Sequence, residues 1–96
     1  MKYLVIDAAL SGTGIRDKYE GGYINTDDLG LSLLIKQRLK EWLSKYESEH
    51  NNGFTNDAII SELDQEGREI ALMIKNELPE VKIEYFSDAR LTKEVI

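Results

Sequence analysis

The apolar positions of this chain fall into a few clear periods. Between Asn56 and Leu78 the residues Ile60, Leu63, Gly67, Ile70, Ala71, Ile74 and Leu78 recur at three and four. That spacing predicts an amphipathic helix, capped by Asn56 or Thr55 at its start. Pro79 cannot continue a helix interior and disfavours helical geometry at Leu78. Beyond it Val81, Ile83 and Tyr85 alternate with Lys82 and Glu84, the period of a strand running to Phe86. A second stripe, Ile35, Leu39, Trp42, Leu43 and Tyr46, predicts an earlier helix after an N-cap at Ser32, with Leu31 and Leu34 beside its start. His50-Asn51-Asn52-Gly53 closes that helix, and Phe54 packs the connection. Tyr3-Leu4-Val5-Ile6 is a short continuous apolar run followed by glycines, which reads as a strand covered on both faces. Leu91, Lys93 and Val95 alternate with Thr92, Glu94 and Ile96, leaving an edge strand or a frayed tail open.

These elements predict an α/β fold of one domain over residues 1–96. Its sheet has two or three strands, with two amphipathic helices packed on one face in the order β-loop-α-α-β. If the two central strands are parallel neighbours, the helical crossover between them is right-handed. The uncovered face of the first strand then needs the loop at 9–30, or a second subunit. Ninety-six residues bury roughly 60–65% of their unfolded surface, enough for one core but not for a deep enclosed active site as well.

Candidate chemistry is sparse. Ser11-Gly12-Thr13-Gly14 follows a strand, and Gly12 and Gly14 invite a phosphate-loop reading. The third glycine is missing, no Lys-Ser/Thr follows and no helix opens, so a flexible loop is expected. Asp7 stands at the carboxyl end of the first strand. His50 is the only histidine and has no cysteine or second histidine with which to share a metal. It is expected to be a solvated residue favouring the helix dipole. Trp42 and Tyr46 lie on an apolar stripe and are assigned to the core. On the second helix Glu62, Gln65, Arg68 and Glu69 lie away from the stripe, while Asp64 and Glu66 flank it. They read as a solvated face, with Glu66 and Arg68 able to pair locally. Gly67 falls on the stripe, where it costs about 1 kcal/mol of helix propensity, so a close helix–sheet or helix–helix approach is expected there. No cofactor and no metal ligand set are expected.

Charge adds a partner class. The net charge is −6, and residues 56–78 carry two basic and six acidic groups. An acidic surface repels phosphate backbones, which disfavours direct nucleic-acid binding, and it steers basic proteins inward. The irregular stretch Ile15–Gly30 sets Tyr19, Tyr23 and Ile24 among Asp17, Glu20, Asp27 and Asp28. It reads either as a loop pinned to the core by its tyrosines or as a recognition loop. The chain has no cysteine and no apolar run near the ~20 residues that span a bilayer, so a cytoplasmic protein is expected.

Two blocks carry a family resemblance. One is Glu20-Gly21-Gly22-Tyr23-Ile24-Asn25, then Leu29-Gly30-Leu31-Ser32, then Leu39-Lys40-Glu41-Trp42-Leu43 and Tyr46. The other is Asp64-Gln65-Glu66-Gly67-Arg68-Glu69, leading to Leu78 and Val81-Lys82-Ile83-Glu84-Tyr85-Phe86. Together they resemble small acidic bacterial proteins that include immunity proteins of contact-dependent growth-inhibition systems. The resemblance implies a non-enzymatic cytosolic antidote that binds the C-terminal domain of a toxin delivered by a neighbouring cell. Such toxins are often nucleases, including ones that cleave tRNA. The blocks are scaffold-like and transfer no contact residues, so the contacts rest on chemistry. Asp17, Tyr19, Glu20, Tyr23, Asp27 and Asp28 form the first candidate surface, and Glu62, Glu66 and Glu69 the second. The alternatives are an assembly module that covers its open sheet face by homodimerisation, and a small enzyme using Asp7 with the Gly12/Gly14 loop.

Overall fold

Strand β1, Tyr3–Ile6, and strand β3, Lys82–Ser87, lie side by side in parallel at the centre of the sheet. They belong to a computed structural model that describes residues 2–10 and 12–96; Ser11 of the expected loop lies outside the described residues. Helices α1, Leu33–Asn51, and α2, Asp57–Glu77, make the crossover between the two strands. Strand β2, Ile15–Asp17, pairs antiparallel to β1, and strand β4, Thr92–Val95, pairs antiparallel to β3. The sheet therefore has four strands in the order β2-β1-β3-β4, one more than the largest number expected. The α/β class and the order of the central elements agree with the sequence pattern.

Both extra strands come from segments with little apolar pattern. In the stretch read as an irregular loop, Ile15 alone is apolar within β2. The strand is made by backbone bonds: Asp7 N to Gly14 O, Asp17 N to Gly22 O and Ile24 N to Ile15 O. A short 3-10 helix, Thr26–Leu29, follows, its start capped by the Asn25 side chain. The segment that could have been a tail is β4, and every residue of it is exposed. Pairing with β3 defines it, not burial.

The helix ends form where the caps predict. Ser32 Oγ accepts from Ile35 N, and Asn56 Oδ1, not Thr55, accepts from Ile59 N at 3.2 Å. Gly53, at φ 73°, turns the chain out of α1. Leu78 N still reaches Ile74 O before Pro79 ends the ladder.

One core lies between helices and sheet. Leu4, Ile6, Ile83 and Tyr85 face Ile35, Leu39, Trp42, Leu63, Ile70, Ala71 and Ile74, all buried. Of the two leucines placed beside the start of α1, Leu31 is buried, whereas Leu34 is exposed. Trp42 crosses to α2 and donates from Nε1 to Leu63 O at 2.8 Å. Gly67 lies at the tightest point. A Cβ there would overlap the Tyr85 ring and fall 2.8 Å from Trp42 Cζ2. The missing side chain thus lets α2 sit down on two of the three large aromatic rings of the core.

On the opposite face of the sheet Val5 is paired with Arg16 on one side and Glu84 on the other. Tyr3 and Lys18 both bond the buried Glu84 carboxylate, at 3.2 and 3.1 Å. The Tyr19 ring meets Tyr3 edge-on at 6.0 Å. Side chains from the 9–30 segment therefore gather over this face, as one of the two expected arrangements required.

Gly67→Ala tests the close approach. Alanine improves helix propensity by about 1 kcal/mol, which would stabilise an open position. Here overpacking against Tyr85 and Trp42 should dominate, lowering stability by about 1–3 kcal/mol in a urea melt. A stabilised variant would show that the rings yield without cost.

Candidate functional site

The chemistry-bearing side chains sort into two interior clusters and an acidic exterior. The first cluster is built on Asp64. Its place in the sequence suggested the flank of the α2 stripe, but it is only 1% exposed. Oδ1 accepts from the hydroxyls of Tyr85 at 2.6 Å and Tyr46 at 3.0 Å, and Oδ2 from Ser87 Oγ at 2.9 Å. Arg90 Nε stands 3.5 Å from Oδ2. Ala89 N donates in turn to the Tyr46 hydroxyl, so the network also holds the β3–β4 turn. Burial, then the Asp64 hydrogen bond, pushes the Tyr85 hydroxyl pKa far up, which keeps it a donor. Every oxygen of this carboxylate is used, and the cluster ties α1, α2 and β3 together.

The second cluster lies at the carboxyl ends of the parallel strands, where open α/β sheets commonly place ligands. Asp7 follows β1 and Asp88 follows β3. Asp7 Oδ1 accepts from Tyr23 Oη at 2.7 Å and Ala9 N at 3.2 Å, and Oδ2 from Arg16 Nε at 2.9 Å. His50 was expected in solvent. Instead its ring packs against Phe54, with centroids 4.6 Å apart. Its Nε2 lies 3.2 Å from Ala8 O and 3.8 Å from Asp88 Oδ2. Asp88 is largely buried, and burial followed by the nearby Asp7 charge raises its pKa from 3.8 to about 6, against the opposing pull of His50. The glycine loop beside Asp7 leads into β2, not into a helix. Gly12 packs under the Tyr23 ring, and Gly12 N is bonded to Ala9 O. Among the described residues no group of three or more histidine, cysteine, aspartate or glutamate side chains is arranged to hold a metal.

The nine sequence-selected contact residues divide among four places. Asp17, Tyr19 and Glu20 form the turn after β2. There the Asp17 carboxylate accepts from the backbone N–H of both Tyr19 and Glu20, while the Tyr19 ring is 68% exposed. Tyr23 is partly exposed, but its hydroxyl is committed to Asp7. Asp27 and Asp28 ride on the 3-10 helix, and Asp27 pairs with Lys36 of α1 at 2.8 Å. Glu62, Glu66 and Glu69 stand along α2 on the outer side of the helix pair. Glu66 pairs with Lys45 of α1 at 2.7 Å and Arg68 with Glu94 of β4 at 2.8 Å, so the expected Glu66–Arg68 pair is replaced by two bonds to other elements.

The α2 acids border a cleft of about 270 Å³ between the helices, with Lys45, Ser48 and Glu49 on one wall and Ile59, Glu62, Leu63 and Glu66 on the other. It adjoins a shallower recess lined by Arg38, Lys45, Ser61, Glu62, Gln65, Glu66 and Glu69. Glu49 escaped the sequence reading. The signal for it was its position three residues after Tyr46, on the edge of the α1 stripe.

The class defined by this fold is a small α/β protein in which Asp7, Asp64 and Glu84 are bonded within its own scaffold and Glu49, Glu62 and Glu66 line an outer helical cleft. A family model described as Serratia CdiI immunity protein-like matches residues 4–88, and the chain belongs to that family. Comparison with curated proteins and with solved structures gives no match. No helix among the described residues is long and apolar enough to cross a membrane.

Two measurements check the clusters. Asp64→Ala strands three buried hydroxyl donors and should cost about 3–5 kcal/mol in denaturant unfolding. Asp88 has a folded pKa above its unfolded value, so its favourable contribution is complete below about pH 4 and is lost as pH rises through about 6. Asp88→Asn should therefore stabilise the protein by about 1–3 kcal/mol at about pH 7.5 and leave it nearly unchanged at about pH 4. Equal effects at both pH values would mean that the charge is not the cause.

Proposed function

We propose that this chain is the immunity protein of a contact-dependent growth-inhibition system, binding one copy of its cognate toxin domain in the cytoplasm of the producing cell and catalysing nothing itself. Family membership over residues 4–88 carries the reading. The charge supports a finer one. A net charge of −6 suits a basic partner, and a toxin site that handles the phosphates of RNA is of that kind. Inhibition then follows from occupying that site or its approach with carboxylates in place of phosphates.

Two surfaces carry the attraction. The turn and 3-10 helix present Asp17, Tyr19, Glu20, Tyr23, Asp27 and Asp28, in which Tyr19 offers a large exposed ring as an anchor. The outer face of α2 presents Glu62, Glu66 and Glu69. Among the described residues Glu20, Asp28, Glu62 and Glu69 have no cation within 4 Å, so their charge is available to a partner.

The test is surface-plasmon kinetics against the toxin domain encoded beside this gene, at two salt concentrations, with a growth-competition assay. Association should slow steeply with salt, because attraction between exposed charges is screened beyond about 8–10 Å at physiological ionic strength. Reversing Asp27 and Asp28 to Lys should lower the association rate about tenfold and weaken protection while the fold persists. A salt-independent rate with unchanged protection would remove that acidic segment from the mechanism. Failure to bind any neighbouring toxin would remove the immunity reading.

A further inference from the structure

The cleft between α1 and α2 holds an acid that the fold itself does not use. Glu49 is 5% exposed, yet no lysine, arginine or histidine among the described residues comes within 4 Å of its carboxylate. Its one side-chain hydrogen bond is a contact of 3.5 Å from Asn52 Nδ2 to Oε2, at the outer limit of such a bond. Oε1 has no donor. Among the described residues no fully buried side-chain polar atom lacks a partner, so Oε1 is not sealed off, and Glu49 lines the cleft.

A buried carboxylate without a counter-ion is costly and is retained where something else neutralises it. The three other acids that are no more than 5% exposed are answered internally: Asp7 by Arg16, Glu84 by Lys18 and Asp64 by three hydroxyls with Arg90 nearby. The cleft around Glu49 is shaped for a cation with an apolar stem. Glu62 and Glu66 add two carboxylates to its rim, against the single ammonium of Lys45, which is already engaged by Glu66. Ile59 and Leu63 supply an apolar wall, and Ile59 is 40% exposed. About 270 Å³ accommodates one long side chain.

We propose that this cleft is the socket for an arginine side chain of the toxin domain, its guanidinium shared between Glu49 and Glu62 and its methylenes laid on Ile59 and Leu63. Arginine suits the socket better than lysine because its planar fork bonds two carboxylates at once and is less strongly hydrated. The assignment rests on the toxin-binding reading and gives that binding a fixed point: surface acids steer, and the socket holds.

The first arm of the test needs no toxin. In an amide NMR titration with N-acetyl-L-arginine amide, the resonances of Ser48, Glu49, Glu62 and Leu63 should shift. The neutral isostere N-acetyl-L-citrulline amide should leave them in place, and Glu49→Gln should abolish the arginine response. Shifts spread evenly over the acidic surface, or equal shifts with citrulline, would overturn the socket. The second arm measures Kd for the toxin domain with Glu49→Gln and with Glu62→Gln. Glu62 is exposed, so the second variant folds whatever the first does. Each should weaken binding at least about tenfold, mainly through faster dissociation. Wild-type affinity in the Glu62 variant and in a folded Glu49 variant would overturn the socket and leave the immunity reading standing. No binding by the wild type would remove that reading, and the arginine titration would then decide the socket by itself.

Discussion

The arrangement of this protein depends on one buried carboxylate. Asp64 sits where α2, α1 and β3 converge, and it accepts hydroxyl donors from Tyr46 and from Tyr85 and Ser87. Hydrogen bonds to a charged acceptor contribute about 1.5–3 kcal/mol each, and a buried charge left without them is strongly destabilising. The network is also directional, because each hydroxyl must point at a particular oxygen. It therefore sets the rotation of α2 about its axis and its height on the sheet, which apolar contact alone would leave looser.

That placement has consequences on both sides of the helix. Inward, Gly67 comes one turn after Asp64 and meets Tyr85 and Trp42 without a side chain between. The Trp42 indole then reaches Leu63 O and holds the spacing of the two helices. Outward, the same spacing opens the cleft bordered by Glu49, Glu62 and Glu66. The cleft is the outer side of the contact that forms the core, so its Leu63 wall is set by the bond from Trp42 beneath it.

The carboxyl ends of the parallel strands show a different compromise. Asp7 is satisfied by Arg16, Tyr23 and Ala9 N, whereas Asp88 beside it has His50 at 3.8 Å. Burial and the neighbouring Asp7 charge both act against its ionised form. Asp7 holds the loop after β1 through Arg16 and Tyr23, and His50 sets the end of α1 against Ala8 and Phe54.

The sequence by itself determined the parts governed by local periods. The α2 stripe, the cap at Ser32, the stop at Pro79 and the two central strand segments follow from side chains a few residues apart, and Gly67 on the stripe already implied a close approach; that those strands pair in parallel came from the fold. Tertiary structure decided what depends on distant partners. Strand β2 has one apolar residue and exists through bonds to β1 and to Tyr23–Ile24, while β4 buries nothing and exists by pairing with β3. Asp64 lies four residues after Ile60 and three before Gly67, yet its polar side chain reads as part of the flanking solvated face, and the fold buries it. Its role was not legible, because its acceptors are filled from residues 18 to 23 positions away. His50 likewise became a packed residue only when Phe54 and Ala8 closed around it. A helical or strand period is a property of neighbours along the chain, whereas the satisfaction of a buried charge is a property of whatever the fold brings beside it.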